Sequence, residues 1–213
     1  MRQLRFHESA KLLREFGIPF ARFEMVSKRA DVQDAARRVG FPLAMKILSP
    51  DIVHKTEAHA VEVGIRTPGA AEQTFLKFEE RAKKLRARVE GVMLQRQASG
   101  IETIVGGKID PQFGPVVVFG LGGIFVEVLK DVSLRVAPVS RRDALEMIQE
   151  VKGFPLLAGA RGKPAASMDK LASVIVNVSC LLSRTPRIRE LDLNPVFANT
   201  REAMPVDARI MVD

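Results

Sequence analysis

The sequence predicts an α+β fold with antiparallel sheets, and three observations carry that expectation. Alternating apolar–polar segments follow one another directly, as at 102–110 and 114–120 on either side of Asp110-Pro111. Strands joined by such short turns pair antiparallel. The element order is helix–strand–helix–strand–strand–helix, then many strands with two helices, which does not suit a doubly wound parallel sheet. Finally, 213 residues with 46% hydrophobic content suffice for one large domain or two small ones with a real core.

Phe6, Ala10, Leu13 and Phe16 recur at helical spacing, and Gly17 and Pro19 end that helix. Residues 20–26 alternate as a half-buried strand does. Asp31 caps a second helix over 32–39, which Gly40 and Pro42 stop. A strand over 42–48 is apolar apart from Lys46, and Ser49-Pro50-Asp51 turns the chain. Residues 60–66 alternate again, as the return strand of a hairpin. Pro68-Gly69 starts a long helix through residue 88 with Phe75, Phe78, Ala82 and Leu85 on its core face. Its other face bears Lys77, Arg81, Lys83, Lys84, Arg86 and Arg88, either a solvated face or a surface for an acidic partner.

The second half is richer in strands. Residues 91–96 form one, and 102–110 with 114–120 form a hairpin. The loop Gly120-Leu121-Gly122-Gly123 leads into strands at 124–129 and 134–139. Ser140 caps a helix over 141–151, and 154–164 is a Gly/Pro-containing connection. Ser167 caps a longer helix with a stripe of Leu171, Val174, Ile175, Val178 and Leu182. Strands over 187–197 and 204–211 close the chain. A subdomain boundary near residue 90 divides 1–90 from 91–213.

Composition narrows the function classes. A formal charge of +8 and a pI of about 10.0 point to an acidic partner such as a nucleotide, a nucleic acid or an acidic protein. The absence of Trp and Tyr removes two base-stacking residues and argues against single-stranded nucleic acid. The lone Cys180 has no internal disulfide partner and reads as a buried, inert thiol. The N-terminus lacks an apolar signal core. The uncharged stretch 111–126 is broken by four glycines and falls short of the ~20 apolar residues of a membrane span. A cytoplasmic, non-membrane protein is expected.

Several residues suit chemistry on phosphate. A lysine inside an apolar strand calls for an anion at its ammonium, which singles out Lys46. The following loop carries His54, Lys55, Thr56 and Glu57. An imidazole is a nucleophile at neutral pH, so His54 is either a phosphoryl acceptor or a locally bonded loop histidine. Gly120 to Gly123 is neither a P-loop nor a dinucleotide fingerprint; it is a tight turn or a close backbone approach to a ligand. Glu190, Asp192 and Asn194 alternate on one strand face, with Asp207 on the next strand. Oxygen donors on adjacent strands suit Mg²⁺, although acids also alternate on many exposed hairpins. No His/Cys spacing resembles a zinc site, and no G-x-S-x-G is present.

The segments LLREFGIPF, FPLAMKILSPDIVHKTEA, VMLQRQASGIETIVGGKIDPQFGPVVVFGLGGIFVEVLKDVSLRVAPVS and ELDLNP occur in this order along the chain. Together they resemble the ATP-grasp β subunit of ADP-forming (NDP-forming) acyl-CoA synthetases, typified by ADP-forming acetate–CoA ligase. The resemblance implies an ATP-grasp fold of two α+β subdomains that bind Mg-ATP or Mg-ADP. It implies that Lys46 contacts the nucleotide phosphates, that Gln95, Arg96 and Gln97 form the hinge meeting adenine largely through backbone groups, and that Glu102 bonds the ribose hydroxyls. Asn194 and Asp207 would hold Mg²⁺. His54 would pass the phosphoryl group to and from a histidine on an α subunit that carries the CoA-binding domain, in an α2β2-type assembly without membrane or nucleic acid. The reaction implied is acyl-CoA + ADP + phosphate ⇌ acid + CoA + ATP. Residues 120–129 and Arg135 would face the partner's phosphohistidine segment. The family has two glycines before the valine of the return strand, where this chain has Ala58-His59-Ala60-Val61. That departure is the basis of a second reading, a diverged nucleotide-binding regulatory subunit without turnover.

Overall fold

The computed structural model describes residues 1–52, 58–123, 131–160 and 164–213. Among these, two sheets, each antiparallel throughout, carry the fold. They belong to two compact units, one of residues 21–97 and one of residues 1–20 with 98–213.

The smaller unit is built on a four-stranded sheet in the order β2 (Phe23–Val26), β5 (Gly91–Arg96), β3 (Leu43–Leu48), β4 (Val61–Ile65). Helices α2 (Arg29–Val39) and α3 (Pro68–Leu85) cover one face. Alternation sorts the strand residues. Leu43, Met45, Ile47, Val92 and Leu94 join Val32, Ala36, Phe75 and Phe78 in one apolar cluster. Ala44, Lys46, Met93 and Gln95 therefore point to the opposite face. Helix α3 starts where Thr67 Oγ1 accepts the Ala70 N–H and Pro68 fixes the first turn. It ends at Arg86 in a left-handed conformation. The second helix begins at Arg29, earlier than the expected Asp31 cap, so Asp31 falls in its first turn, where a carboxylate favours the helix dipole.

The larger unit holds a sheet in the order β1 (Arg2–Gln3), β11 (Arg209–Val212), β9 (Ile188–Ala198), β6 (Ile101–Asp110), β7 (Gly114–Leu121), β8 (Val132–Val136), with β10 (Ala203–Pro205) also paired to β9. Helix α6 (Met168–Arg184) lies against β6 and β7, and its Leu171, Val174, Ile175, Val178, Leu181 and Leu182 are buried. Each such side chain contributes roughly 1.5–3 kcal/mol of burial. Helix α4 (Arg141–Glu150) packs on α6 and β8 and starts with a reciprocal Ser140–Asp143 capping box. Helix α1 (Phe6–Glu15) buries Ser9, Ala10 and Leu13.

Four further expectations change. The cut near residue 90 is displaced, because 91–96 pair with β2 and β3 and 1–20 join the larger unit through β1 and β11. The closing strand expected over 204–211 is two strands, β10 and β11, separated at 206–208. The connection over 154–164 contains a helical turn, α5 (Phe154–Leu157). Cys180 is half-buried on α6 rather than fully enclosed. The strand expected at 124–129 lies outside the described residues.

Candidate nucleotide and metal site

Lys46 sits in the middle of β3, paired with Val61 on one side and Met93 on the other, and is only 7% exposed. It shares the sheet face away from α2 and α3 with Gln95, which pairs with Ala44. Gln95 is 1% exposed, and its Nε2 has no hydrogen-bond partner among the described residues. A buried amide donor without a partner costs about 1–3 kcal/mol, which marks Gln95 out on this face. A cavity of about 370 Å³ lined by Val26, Ile47, Phe75 and Phe78 opens on the helix side of the same sheet, opposite Lys46.

The other two hinge candidates are engaged within the smaller unit. The Arg96 guanidinium donates to the Phe41 carbonyl, and the Arg96 N–H to the Arg22 carbonyl. Gln97 Oε1 accepts the Gly64 N–H at 2.7 Å, and the Gln97 N–H donates to Pro42 O at 3.1 Å. These two backbone N–H groups are used within the smaller unit, whereas the Gln95 side-chain amide has no partner among the described residues.

In the larger unit, Glu190, Asp192 and Asn194 alternate with buried Leu191 and Leu193, which puts the polar residues on the open face of β9. Asn194 and Pro195 together oppose the single residue Ile104 of β6, because Val105 pairs with Leu193 and Thr103 with Val196. Such a bulge re-aims side chains. On the other side of β9, Pro205 pairs with Val196 and Arg209 with Asp192. One register therefore runs through 206–208 and sets Asp207 level with Asn194. Asp207 Oδ1 accepts the Ala208 N–H at 2.9 Å. Burial pushes the Asp192 carboxyl above its ordinary range; Glu190 and Asp207 add to this and Arg209 opposes it. The described residues contain no cluster of three or more His, Cys, Asp or Glu side chains able to hold a metal.

Glu102 is exposed on β6, where it pairs with Phe197, and its carbonyl accepts the Gly122 N–H at 2.8 Å. A side chain at Gly122 would stand 3.0 Å from Glu102 Cβ and 3.2 Å from its carbonyl carbon. Gly123 follows with φ +63°, and a Cβ there would be 3.9 Å from Glu102 Oε2. The glycines thus let this backbone lie against Glu102. Arg135 does not face the open side of the sheet: its guanidinium pairs with Glu150 of α4, and Glu150 also accepts from Ser133 Oγ at 2.6 Å. His54 lies outside the described residues.

Residues 1–212 match the model of the ATP-grasp domain family. The chain is 43% identical over 208 residues to the acetate–CoA ligase (ADP-forming) I subunit β of Pyrococcus furiosus, covering 96% of this chain and 90% of that one. The chain belongs to this ATP-grasp family of ADP-forming ligase β subunits. A single-chain acetate–CoA ligase (ADP-forming) I of Archaeoglobus fulgidus is 38% identical over 96% of this chain, which corresponds to 30% of that protein. A structure of the Ca. Korarchaeum cryptofilum dinucleotide-forming acetyl-coenzyme A synthetase 1, with coenzyme A, Mg-AMPPCP and a phosphohistidine segment pointing towards the nucleotide site, superposes with a TM-score of 0.86. It is 35% identical and covers 99% of this chain and 93% of that one.

The ATP-grasp β-subunit chain carries groups that fit Mg²⁺ and a nucleotide. Asn194 and Asp207 supply hard oxygen donors at one level of the sheet, and Mg²⁺ takes few protein ligands because it keeps waters and phosphates. The unpartnered Gln95 amide, on the face of Lys46, fits a ligand with acceptor atoms. Among the described residues, no helix is long and apolar enough to cross a membrane.

Proposed function

We propose that this chain is the nucleotide-handling β subunit of an ADP-forming acyl-CoA synthetase, working in the cytoplasm in an α2β2-type assembly. The overall reaction is acyl-CoA + ADP + phosphate ⇌ acid + CoA + ATP. The observation that carries this reading is the face of the four-stranded sheet that buries both Lys46 and the unpartnered Gln95 amide.

In this reading, Gln95 Nε2 donates to an acceptor on the base, and the Glu102 carboxylate accepts from ribose hydroxyls. The Lys46 ammonium offsets charge on the phosphates. Asn194 and Asp207 hold Mg²⁺, which when bound neutralises phosphate charge. His54 attacks the γ-phosphorus through a neutral imidazole nitrogen; a P–N bond forms, the P–O bond to ADP breaks, and ADP leaves with that electron pair. The phosphoryl group then passes to a histidine of the α subunit. Lys55, next in sequence, offsets the charge of phosphorylated His54 in this reading.

The test is co-expression with the α subunit, addition of Mg-ATP and detection of phosphate on His54, then addition of a carboxylic acid and CoA and detection of acyl-CoA. His54→Ala should lower turnover by roughly a thousandfold or more. Normal turnover in that variant would remove His54 from the relay. A second reading, nucleotide binding without turnover, is favoured by one observation: His59 adopts φ +49° where the family pattern has glycine. Nucleotide binding with neither phosphorylation nor acyl-CoA formation would select it.

A further inference from the structure

Strand β8 is an edge of the larger sheet, hydrogen-bonded to β7 on one side among the described residues. Its side chains divide by alternation. Ser133 and Arg135 turn to α4 and meet Glu150. Val132, Leu134 and Val136 turn to the open face and are 37%, 56% and 54% exposed. Phe113, in the β6–β7 turn at the Val136 end, is 63% exposed. Branched apolar side chains on an edge strand invite association unless something covers them.

The cross-strand registers tie this stripe to the candidate metal pair. Val132 pairs with Gly120, Gly120 with Ile104, and Ile104 stands opposite Asn194 and Pro195. Leu134 pairs with Val118, Val118 with Gly106, and Gly106 with Asp192. Directly opposed residues share a face, so the apolar stripe and the acidic residues of β9 look out from the same side of the sheet. Three strand spacings separate β8 from β9, about 14 Å. Four or five extended residues span that distance, at about 3.3 Å each.

We propose that Val132, Leu134 and Val136 form a docking surface for the α subunit; the assignment rests on the function proposed above. Two facts select this occupant. In the Archaeoglobus fulgidus relative, the counterpart of this chain is 30% of a longer polypeptide, and the Pyrococcus furiosus relative is named as one subunit, β. The stripe is also uncharged, which suits the apolar centre of a protein interface and not an anionic polymer. A subunit seated there can lay a short extended segment across the sheet to the Asn194 level.

The test co-expresses the α subunit with chains carrying Leu134→Asp or Val136→Asp, and weighs the complex by size-exclusion chromatography with light scattering. Both positions are exposed, so melting temperature and Mg-ADP binding by the isolated chain should match the unsubstituted protein. The milder pair Val132→Ser/Leu134→Ser serves if either aspartate variant fails to fold. The expected result is affinity for the α subunit weakened at least a hundredfold with Mg-ADP binding retained. An undiminished complex overturns the assignment, as does failure of the unsubstituted chain to bind the α subunit. Loss of self-association with an intact α complex assigns the stripe to a second copy and also overturns it. Failure of the unsubstituted chain to bind Mg-ADP strikes instead at the function proposed above, through a separate readout.

Discussion

Asp207 lies level with Asn194, because the registers before and after it, Pro205 with Val196 and Arg209 with Asp192, are the same. Two oxygen donors at one level make a metal-dependent effect testable. Asn194→Ala and Asp207→Ala should each weaken Mg-ADP binding by about tenfold or more. ADP affinity in excess chelator should be unchanged. Calorimetric titrations with and without Mg²⁺ check this, and equal losses in both would remove the metal role.

Gln95→Leu should move two measurements in opposite directions. Removing the unpartnered buried amide should raise the stability of the nucleotide-free protein by about 1 kcal/mol. The same change should lower ADP affinity. Urea unfolding and ADP titration provide the two readings. A less stable variant would mean that the amide is satisfied in the folded protein.

His59 holds a left-handed backbone, φ +49°, just before the buried Ala60. A Cβ in that region is strained, and glycine is not. His59→Gly should therefore stabilise the smaller unit by up to about 1 kcal/mol, read as a higher urea midpoint at unchanged slope. If turnover rises with stability, the side chain at 59 is also what limits the loop; turnover unchanged would confine its effect to the backbone.

The clamp between β8 and α4 should respond to acid. Hydrogen bonds from the Arg135 guanidinium and then the Ser133 hydroxyl hold the Glu150 carboxyl below its ordinary value of 4.5. A lowered folded-state pKa stabilises above that ordinary value, and the contribution is lost as pH falls from there through the folded pKa. Glu150→Gln should lower stability by about 0.5 kcal/mol at pH 7, as for an exposed pair. The difference from the unsubstituted protein should begin to shrink as pH falls past 4.5 and vanish only below the lowered folded pKa. A pH-independent difference would show that packing, not charge, supplies the effect.

Local signals in the sequence reached most elements. Ser140 and Ser167 mark helix starts because their hydroxyls accept N–H groups of the first turn, Pro68-Gly69 marks the start of α3, and Asp110-Pro111 marks the β6–β7 turn. Lys46 stood out because an ammonium in an apolar strand is costly, and the structure buries it. What escaped depends on distant pairing. Residues 91–96 read as the start of a second domain, but their partners are Phe23 to Val26 and Leu43 to Leu48, far earlier in the chain. Arg135 read as part of the face toward a partner segment because its ion-pair partner, Glu150, sits on a separate helix. The Asn194 bulge is set by the spacing of β6 against β9, which no local pattern records.

Arg2 pairs with Val212 and Gln3 with Met211, so the first strand waits for the last. During synthesis the stretch 21–97 has every partner of its sheet once Arg96 has emerged. The larger sheet is completed only when residues 209–212 have left the ribosome. Folding on the ribosome then runs from the inside of the chain outward, with the inner unit free to form first and the N-terminal strand docking late.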